Sequence, residues 1–207
     1  MAFTYFFRDL QTLEMIRDRV LPEVRTRRFI HIWDAGCAMG PEPYSLAIIL
    51  RENMGHMIFR NVKIHATDID ESGQFGEIIG KGVYPEEQLK RIPDSIRERY
   101  FQPNGRAGHL QIAEDIRNCV SYETHDLLGL QPVRKELSLV MCKNVLLHFT
   151  EKERADVIRM FHDALVPGGF FVTEQTQKLP AGLHDLFETV AANAQVHRKR
   201  NDASCTS

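Results

Sequence analysis

The chain has 207 residues, 43% of them hydrophobic, and 26 Lys and Arg against 28 Asp and Glu leave a formal charge of −2. That length buries one substantial core rather than two full domains, and the charge gives no general pull toward nucleic acid or anionic lipid. No apolar run approaches the ~20 residues of a bilayer span, and the N-terminus lacks a signal-peptide layout. Four scattered cysteines (Cys37, Cys119, Cys142, Cys205) read as free thiols in a reducing cytoplasm.

Residues 1–8 are too aromatic for a loose tail: Phe6 and Phe7 suit a core, Arg8 a surface. Asp9 is a candidate N-cap for an amphipathic helix from Leu10 to Val24, with Leu13, Ile16, Val20 and Leu21 on one face. Phe29 to Trp33 has strand character and runs into a small-residue turn containing Gly36 and Gly40. Behind it Tyr44, Ala47, Ile48 and Leu50 fall on one side of a helix. Strand, glycine turn, helix is how a nucleotide-binding α/β unit opens. The glycines permit positive φ and close approach of a ligand, and the helix amides face the site. The spacing is Gly-x-x-x-Gly, weak evidence by itself.

Val62 to Asp70 reads as a second strand ending in acids. Asp68 at its tip suits ribose hydroxyls, because a carboxylate accepts two hydrogen bonds at fixed spacing; Asp70 suits the cap of the next helix. Residues 72–125 are irregular, with short helices over Glu86–Arg91 and Asp94–Tyr100 and short strands over His109–Ala113 and Ile116–Glu123. Leu137 to Cys142 is a buried strand that delivers Lys143 to Phe149 to the carboxyl edge of the sheet. Thr150 caps a helix from Glu151 to Leu165 with Glu153 completing a capping box, and a Pro-Gly-Gly turn leads into a strand from Phe170 to Thr173. Leu186–Ala191 and Gln195–Arg200 form a closing antiparallel hairpin, with His197-Arg198-Lys199-Arg200 reading as a solvated edge strand.

Several of these strings resemble the chemotaxis-receptor methyltransferases of the CheR family. Ala35-Gly36-Cys37-Ala38-Met39-Gly40-Pro41-Glu42-Pro43-Tyr44-Ser45 is similar to the family's Ala-Gly-Cys-Ser-Thr-Gly-Glu-Glu-Pro-Tyr-Ser. Thr4-Tyr5-Phe6-Phe7-Arg8 matches Thr-x-Phe-Phe-Arg, and Ala66-Thr67-Asp68-Ile69-Asp70 is identical to its counterpart. Asp126-Leu127-Leu128 resembles Asn/Asp-Leu-Leu, and Cys142-Lys143-Asn144-Val145 follows Cys-Arg-Asn-Val. The resemblance covers Thr4 to about Arg200 and implies a single domain over 1–207. Its fold would be a Rossmann-like class I methyltransferase sheet of about seven strands, with a small antiparallel β insertion at 101–122.

By the same resemblance the cofactor is S-adenosyl-L-methionine, with S-adenosyl-L-homocysteine as product. Thr4 and Arg8 would line its pocket, Arg8 near a carboxylate of the methionine part or of the substrate. Gly36 and Gly40 would pass beneath it, Glu42 would bind its amino group and Asp68 its ribose. Asp126, Leu127, Lys143 and Asn144 would complete the pocket. Three departures stand out. Lys143 replaces an arginine, keeping the charge but losing the planar fork. His148 replaces a tyrosine near the transferred methyl group, and Thr173-Glu174-Gln175-Thr176 stands where the family reads roughly Gly-His-Ser-Glu.

The implied function is O-methylation of glutamate side chains on a protein acceptor, such as a chemoreceptor cytoplasmic domain, without nucleic acid or membrane insertion. A carboxylate acceptor is ionised at pH 7 and needs no general base. A phenol or alcohol would need one, which makes His148 a base in an alternative O-methyltransferase of other substrates. A non-catalytic sensor of the cofactor or its demethylated product is a third reading. No His, Cys, Asp or Glu constellation has metal-ligand spacing.

Overall fold

The computed structural model describes residues 4–191 and 195–201. Asp9 caps the first helix, its carboxylate accepting from Thr12 N and Thr12 Oγ1. That helix, α1 (Leu10–Met15), passes through a π-helical turn (Ile16–Val20) into α2 (Leu21–Val24). Its expected apolar face is the buried one: Leu13, Ile16, Val20 and Leu21 all lie in the core.

β1 (Ile30–Ala35) follows, then α3 (Pro41–Met54), α4 (His56–Phe59), β2 (Val62–Asp68) and α5 (Phe75–Lys81). β3 (Val83–Pro85), α6 (Asp94–Tyr100), β4 (Phe101–Pro103) and β5 (His109–Ile112) make an irregular region, and α7 (Glu114–Arg117) leads into β6 (Val120–Thr124). The last part comprises β7 (Leu137–Met141), α8 (Glu151–Ala164), β8 (Leu165–Val172), β9 (Phe187–Ala191) and β10 (Val196–Lys199).

Seven strands form one sheet in the order β6-β2-β1-β7-β8-β10-β9. β6, β2, β1, β7 and β8 run parallel, whereas β10 is antiparallel to both its neighbours. This is the doubly wound class I methyltransferase arrangement. The chain steps outward from β1 on one side and then returns to place β7 on the other, so the crevice at the carboxyl ends of β1 and β7 is the switch point where such sheets take ligands.

Strand alternation sends β1 residues to two separate cores. Ile30 and Ile32 pack with Leu46 and Ile48 of α3, while Trp33 and Ala35 pack with Val157, Ile158 and Phe161 of α8. Buried Trp33 spends its one polar atom on Thr67 Oγ1, 2.9 Å away on β2.

A second, three-stranded antiparallel sheet runs β3-β5-β4. It is the expected small β element, but it starts at Val83 and ends at Ile112. Residues 116–123 divide between α7 and β6, and β6 belongs to the main sheet. The Ile116 side chain is wholly buried as a helical residue, which a strand of that stretch would not have required.

The basic run at 197–200 also departs from expectation. β10 lies inside the sheet, between β8 and β9. His197 is buried, Lys199 Nζ donates to the carbonyls of His162 and Leu165 at the end of α8, and Arg200 Nε donates to Phe187 O. These cations close helix and strand ends from within.

Cys37, Cys119 and Cys142 are buried free thiols, and Cys205 lies outside the described residues. Among the described residues no helix is long and apolar enough to cross a membrane.

Candidate active site

The turn after β1 is held from three sides. Gly36 N and Cys37 N donate to Thr67 O at 2.7 and 2.9 Å. Asp68 Oδ2 accepts from Ala38 N at 2.9 Å, and Tyr84 Oη of the small sheet donates to Met39 O at 2.9 Å. Gly36 has φ +95°, and a Cβ there would lie 2.1 Å from Val145 Cγ2. Gly40 has φ +102°, and a Cβ there would lie 2.5 Å from Tyr84 Oη. Both glycines are thus demanded by the protein's own packing.

The Glu42-Pro43-Tyr44-Ser45 string has equally local work. Tyr44 Oη donates to Ile79 O on α5 at 2.5 Å, and Ser45 Oγ accepts from Phe7 N at 2.8 Å. Phe6, buried, meets Tyr84 and Phe101 edge-on at 5.0 and 5.4 Å between ring centroids. The aromatic N-terminal segment is therefore clamped between α3 and the small sheet, which seats Thr4 half-buried and Arg8 exposed, its guanidinium 6.0 Å from the Tyr5 ring centre.

A cavity of about 440 Å³ opens at the carboxyl ends of β1, β2 and β6. Gly36, Asp68, Asp126, Leu127 and His148 line it together with residues the sequence did not single out, among them Ile69, His125 and Phe149. His125 turns its ring edge-on to Trp33, and its Nε2 is buried without a partner among the described residues. The short helix carrying His148 is anchored by Arg154 of α8, which donates to Leu146 O and Phe149 O. Asp126 Oδ1 accepts from Leu128 N, fixing the turn that presents Leu127. Asp70, by contrast, accepts from Ser72, Gln74, Phe75 and Tyr122, so it caps the entry to α5 as expected.

Glu42, Lys143 and Asn144 sit beside this cavity rather than on its lining. Lys143 Nζ is buried 3.2 Å from Asp9 Oδ2 and 3.4 Å from Glu42 Oε2. Burial alone would pull its pKa down, but the two carboxylates outweigh it and hold it above the ordinary lysine value. Asp9 mirrors this: burial raises it, and Lys143 and Thr12 bring it below its usual value. Asn144 adopts φ +57° with its backbone N–H on Glu174 Oε2 at 3.0 Å, and Thr173 Oγ1 donates to the same oxygen at 2.7 Å. Asp34, on β1, is fully buried behind Glu42. Sequence reading missed Asp9, Asp34, His125 and Glu174 as site neighbours; the only cue to Asp34 was an acid two residues before the glycine turn.

The family model described as CheR methyltransferase, SAM binding domain, matches residues 2–196. This chain belongs to the CheR methyltransferase family. A chemotaxis protein methyltransferase of Vibrio parahaemolyticus is 30% identical over 92% of this chain and 69% of its own length. A chemotaxis protein methyltransferase 2 of Vibrio cholerae is 30% identical over 80% of this chain and 58% of its own. The chain thus spans 58 to 69% of these two relatives. A solved putative sarcosine dimethylglycine methyltransferase from Galdieria sulphuraria aligns with TM-score 0.46 at 14% identity, over 79% of this chain and 46% of that one.

The residues of this CheR-family site fit S-adenosylmethionine. The cavity joins apolar walls to the acid at the tip of β2. Beside it Glu42 Oε1 and both Asp34 oxygens are buried with no protein donor among the described residues, an acceptor set suited to an ammonium.

Proposed function

We propose that this chain methylates glutamate side chains of a protein, with the cytoplasmic domain of a chemoreceptor as acceptor, and that it works in the cytoplasm. The observation that carries this is the convergence, at one sheet edge, of residues from the motifs that match the family: Gly36, Asp68, Asp126 and Leu127 around one cavity. His148, a departure from the family pattern, is on the same lining, and Glu42 is paired beside it with Lys143, which stands in for the family's arginine.

Bound S-adenosylmethionine supplies a sulfonium whose methyl group is already activated for in-line displacement. The protein's task is then alignment and exclusion of water. Asp68 offers its carboxylate to the ribose hydroxyls while Asp126 and Leu127 bound the adenine end. Glu42 would face the ammonium, held in place by Lys143 Nζ 3.4 Å from its Oε2. Thr4 and Arg8 stand on the clamped N-terminal segment, where Arg8 offers a positive charge to a carboxylate. His148, on the rim, orients the acceptor. A carboxylate acceptor attacks without first losing a proton, so His148 need not act as a base.

The test is labelled-methyl transfer from S-adenosylmethionine to purified receptor cytoplasmic fragments. Label released by mild base, on glutamate, is expected. Base-stable ether label would instead make His148 a general base for a hydroxyl acceptor, and binding without turnover would leave a sensor.

A further inference from the structure

Asp34 is a buried acid that matches nothing in the expected site. It lies on β1, on the α3 side of the sheet, and is 0% exposed. Neither carboxylate oxygen accepts a hydrogen bond from any described donor. The charged and titratable groups facing it come from four elements: Glu42 at the start of α3, Lys143 after β7, Asp68 at the tip of β2, and Cys37 in the turn. Cys142 lies at the same strand end with Glu174 behind it, and Asp9 reaches the cluster through Lys143. Against Asp9, Asp34 and Glu42 the described residues set a single buried cation, and Lys143 is already engaged by two of the three. A third ionised carboxylate, buried and without a donor, would carry the full cost of desolvation and of repulsion from Glu42.

We propose that Asp34 is a neutral carboxylic acid in the free protein, leaning its proton toward Glu42, and that it ionises when the ammonium of the cofactor enters beside that pair. Asp34 then becomes a second carboxylate for the ammonium, next to Glu42. The bond that breaks is the Asp34 O–H, the proton leaves to solvent, and no electrons move. Burial first, and then the nearby Glu42, raise the Asp34 pKa well above the usual carboxylate value, in accord with the packing. This rests on the reading that the site binds S-adenosylmethionine, and it adds a residue and a proton to that reading.

The linkage has a definite sign. Binding that prefers ionised Asp34 strengthens as pH rises toward the free-state pKa, by up to about tenfold per pH unit. Below about pH 7 the ligand's own amino group stays protonated and does not contribute the opposite trend.

Titration calorimetry in buffers of different ionisation enthalpy counts the protons released. With S-adenosyl-L-homocysteine at pH 6–7, the wild-type protein is expected to release a sizeable fraction of one proton, and Asp34→Asn close to none. A second ligand, 5′-methylthioadenosine, keeps the adenine and ribose but lacks the amino acid part. Its binding to wild type should release no proton, a comparison that does not depend on the variant folding. Equal proton counts for the two ligands, or for wild type and Asp34→Asn, would overturn the proposal while leaving cofactor binding intact. No binding heat with either ligand would overturn both the proposal and the reading beneath it.

Discussion

Asp68 Oδ2 accepts the backbone N–H of Ala38 at 2.9 Å, so the acid that ends β2 also braces the turn that ends β1. Ala38 holds φ +49°, an uncommon conformation for a non-glycine residue, and this bond helps to keep it there. The acid at the tip of β2 and the glycine turn are therefore one mechanical unit across two parallel strands.

Replacing Asp68 with Ala should then have two effects. Loss of a charged acceptor costs about 1.5–3 kcal/mol of binding, or roughly a tenfold to hundredfold weaker Kd for S-adenosylhomocysteine. The freed Ala38 N–H should also lower Tm by a few degrees. Asp68→Asn keeps one acceptor and should recover part of both losses. Calorimetry and thermal melts read them separately, and an unchanged Kd for Asp68→Ala would remove Asp68 from the site.

Gly36 and Gly55 separate steric demand from backbone demand. Both have positive φ, yet a Cβ at Gly36 would press to 2.1 Å from Val145 Cγ2, whereas one at Gly55 meets nothing within 4 Å. Gly55→Ala should cost about 1–3 kcal/mol through the backbone alone, because φ +73° with ψ 158° is a region that only glycine enters readily. Gly36→Ala must also push Val145 away from the cavity that Val145 lines, so it should cost about 3 kcal/mol or more and weaken cofactor binding as well. Urea unfolding of both variants gives the comparison. Equal losses would mean that Val145 yields freely.

Much of this was legible in the sequence because the strands that matter announce themselves. Ile30–Ala35 and Leu137–Met141 are apolar runs bounded by turns, and Thr150 with Glu153 writes a capping box in plain residues. The acid at the tip of β2 followed from the same logic. What the sequence could not carry was placement across the fold. His197 to Arg200 look like a solvated edge until α8 supplies the carbonyls that Lys199 caps and β9 takes the edge position. Glu174 and Asp34 carry no local cue to their burial, which is decided by Asn144 and by α3, distant in the chain. The small sheet was displaced in expectation because β6, a short and mostly polar strand, reads like its neighbours in the insertion rather than as part of a parallel sheet.

His148 decides between acceptor classes. With a glutamate acceptor, His148→Tyr should retain methyl transfer within about tenfold of wild type, since no proton must be removed. Were His148 a general base, the same change should cost roughly 10²–10⁴-fold. Initial rates with receptor fragments at neutral pH measure the difference, and S-adenosylhomocysteine binding by both proteins shows that the pocket is intact.

His197 sets an acid limit on stability. It is buried between the rings of Phe171 and Phe187, with Nδ1 3.2 Å from Thr189 Oγ1 and no partner for Nε2 among the described residues. Burial, helped by the nearby His184, lowers its pKa from 6.5 to about 4. A histidine whose folded pKa lies below its unfolded value binds fewer protons when native. Its contribution is therefore intact above the unfolded pKa of about 6.5 and is lost as pH falls from there toward about 4. The loss should amount to about 2 kcal/mol after allowance for partial hydration. His197→Phe removes the titrating group and keeps the ring packing, at the cost of the Thr189 contact. Urea unfolding at pH 7 and pH 4.5 should show a smaller drop for His197→Phe than for wild type, and parallel drops would mean that the acid sensitivity arises elsewhere, with half-buried His65 the next group to change.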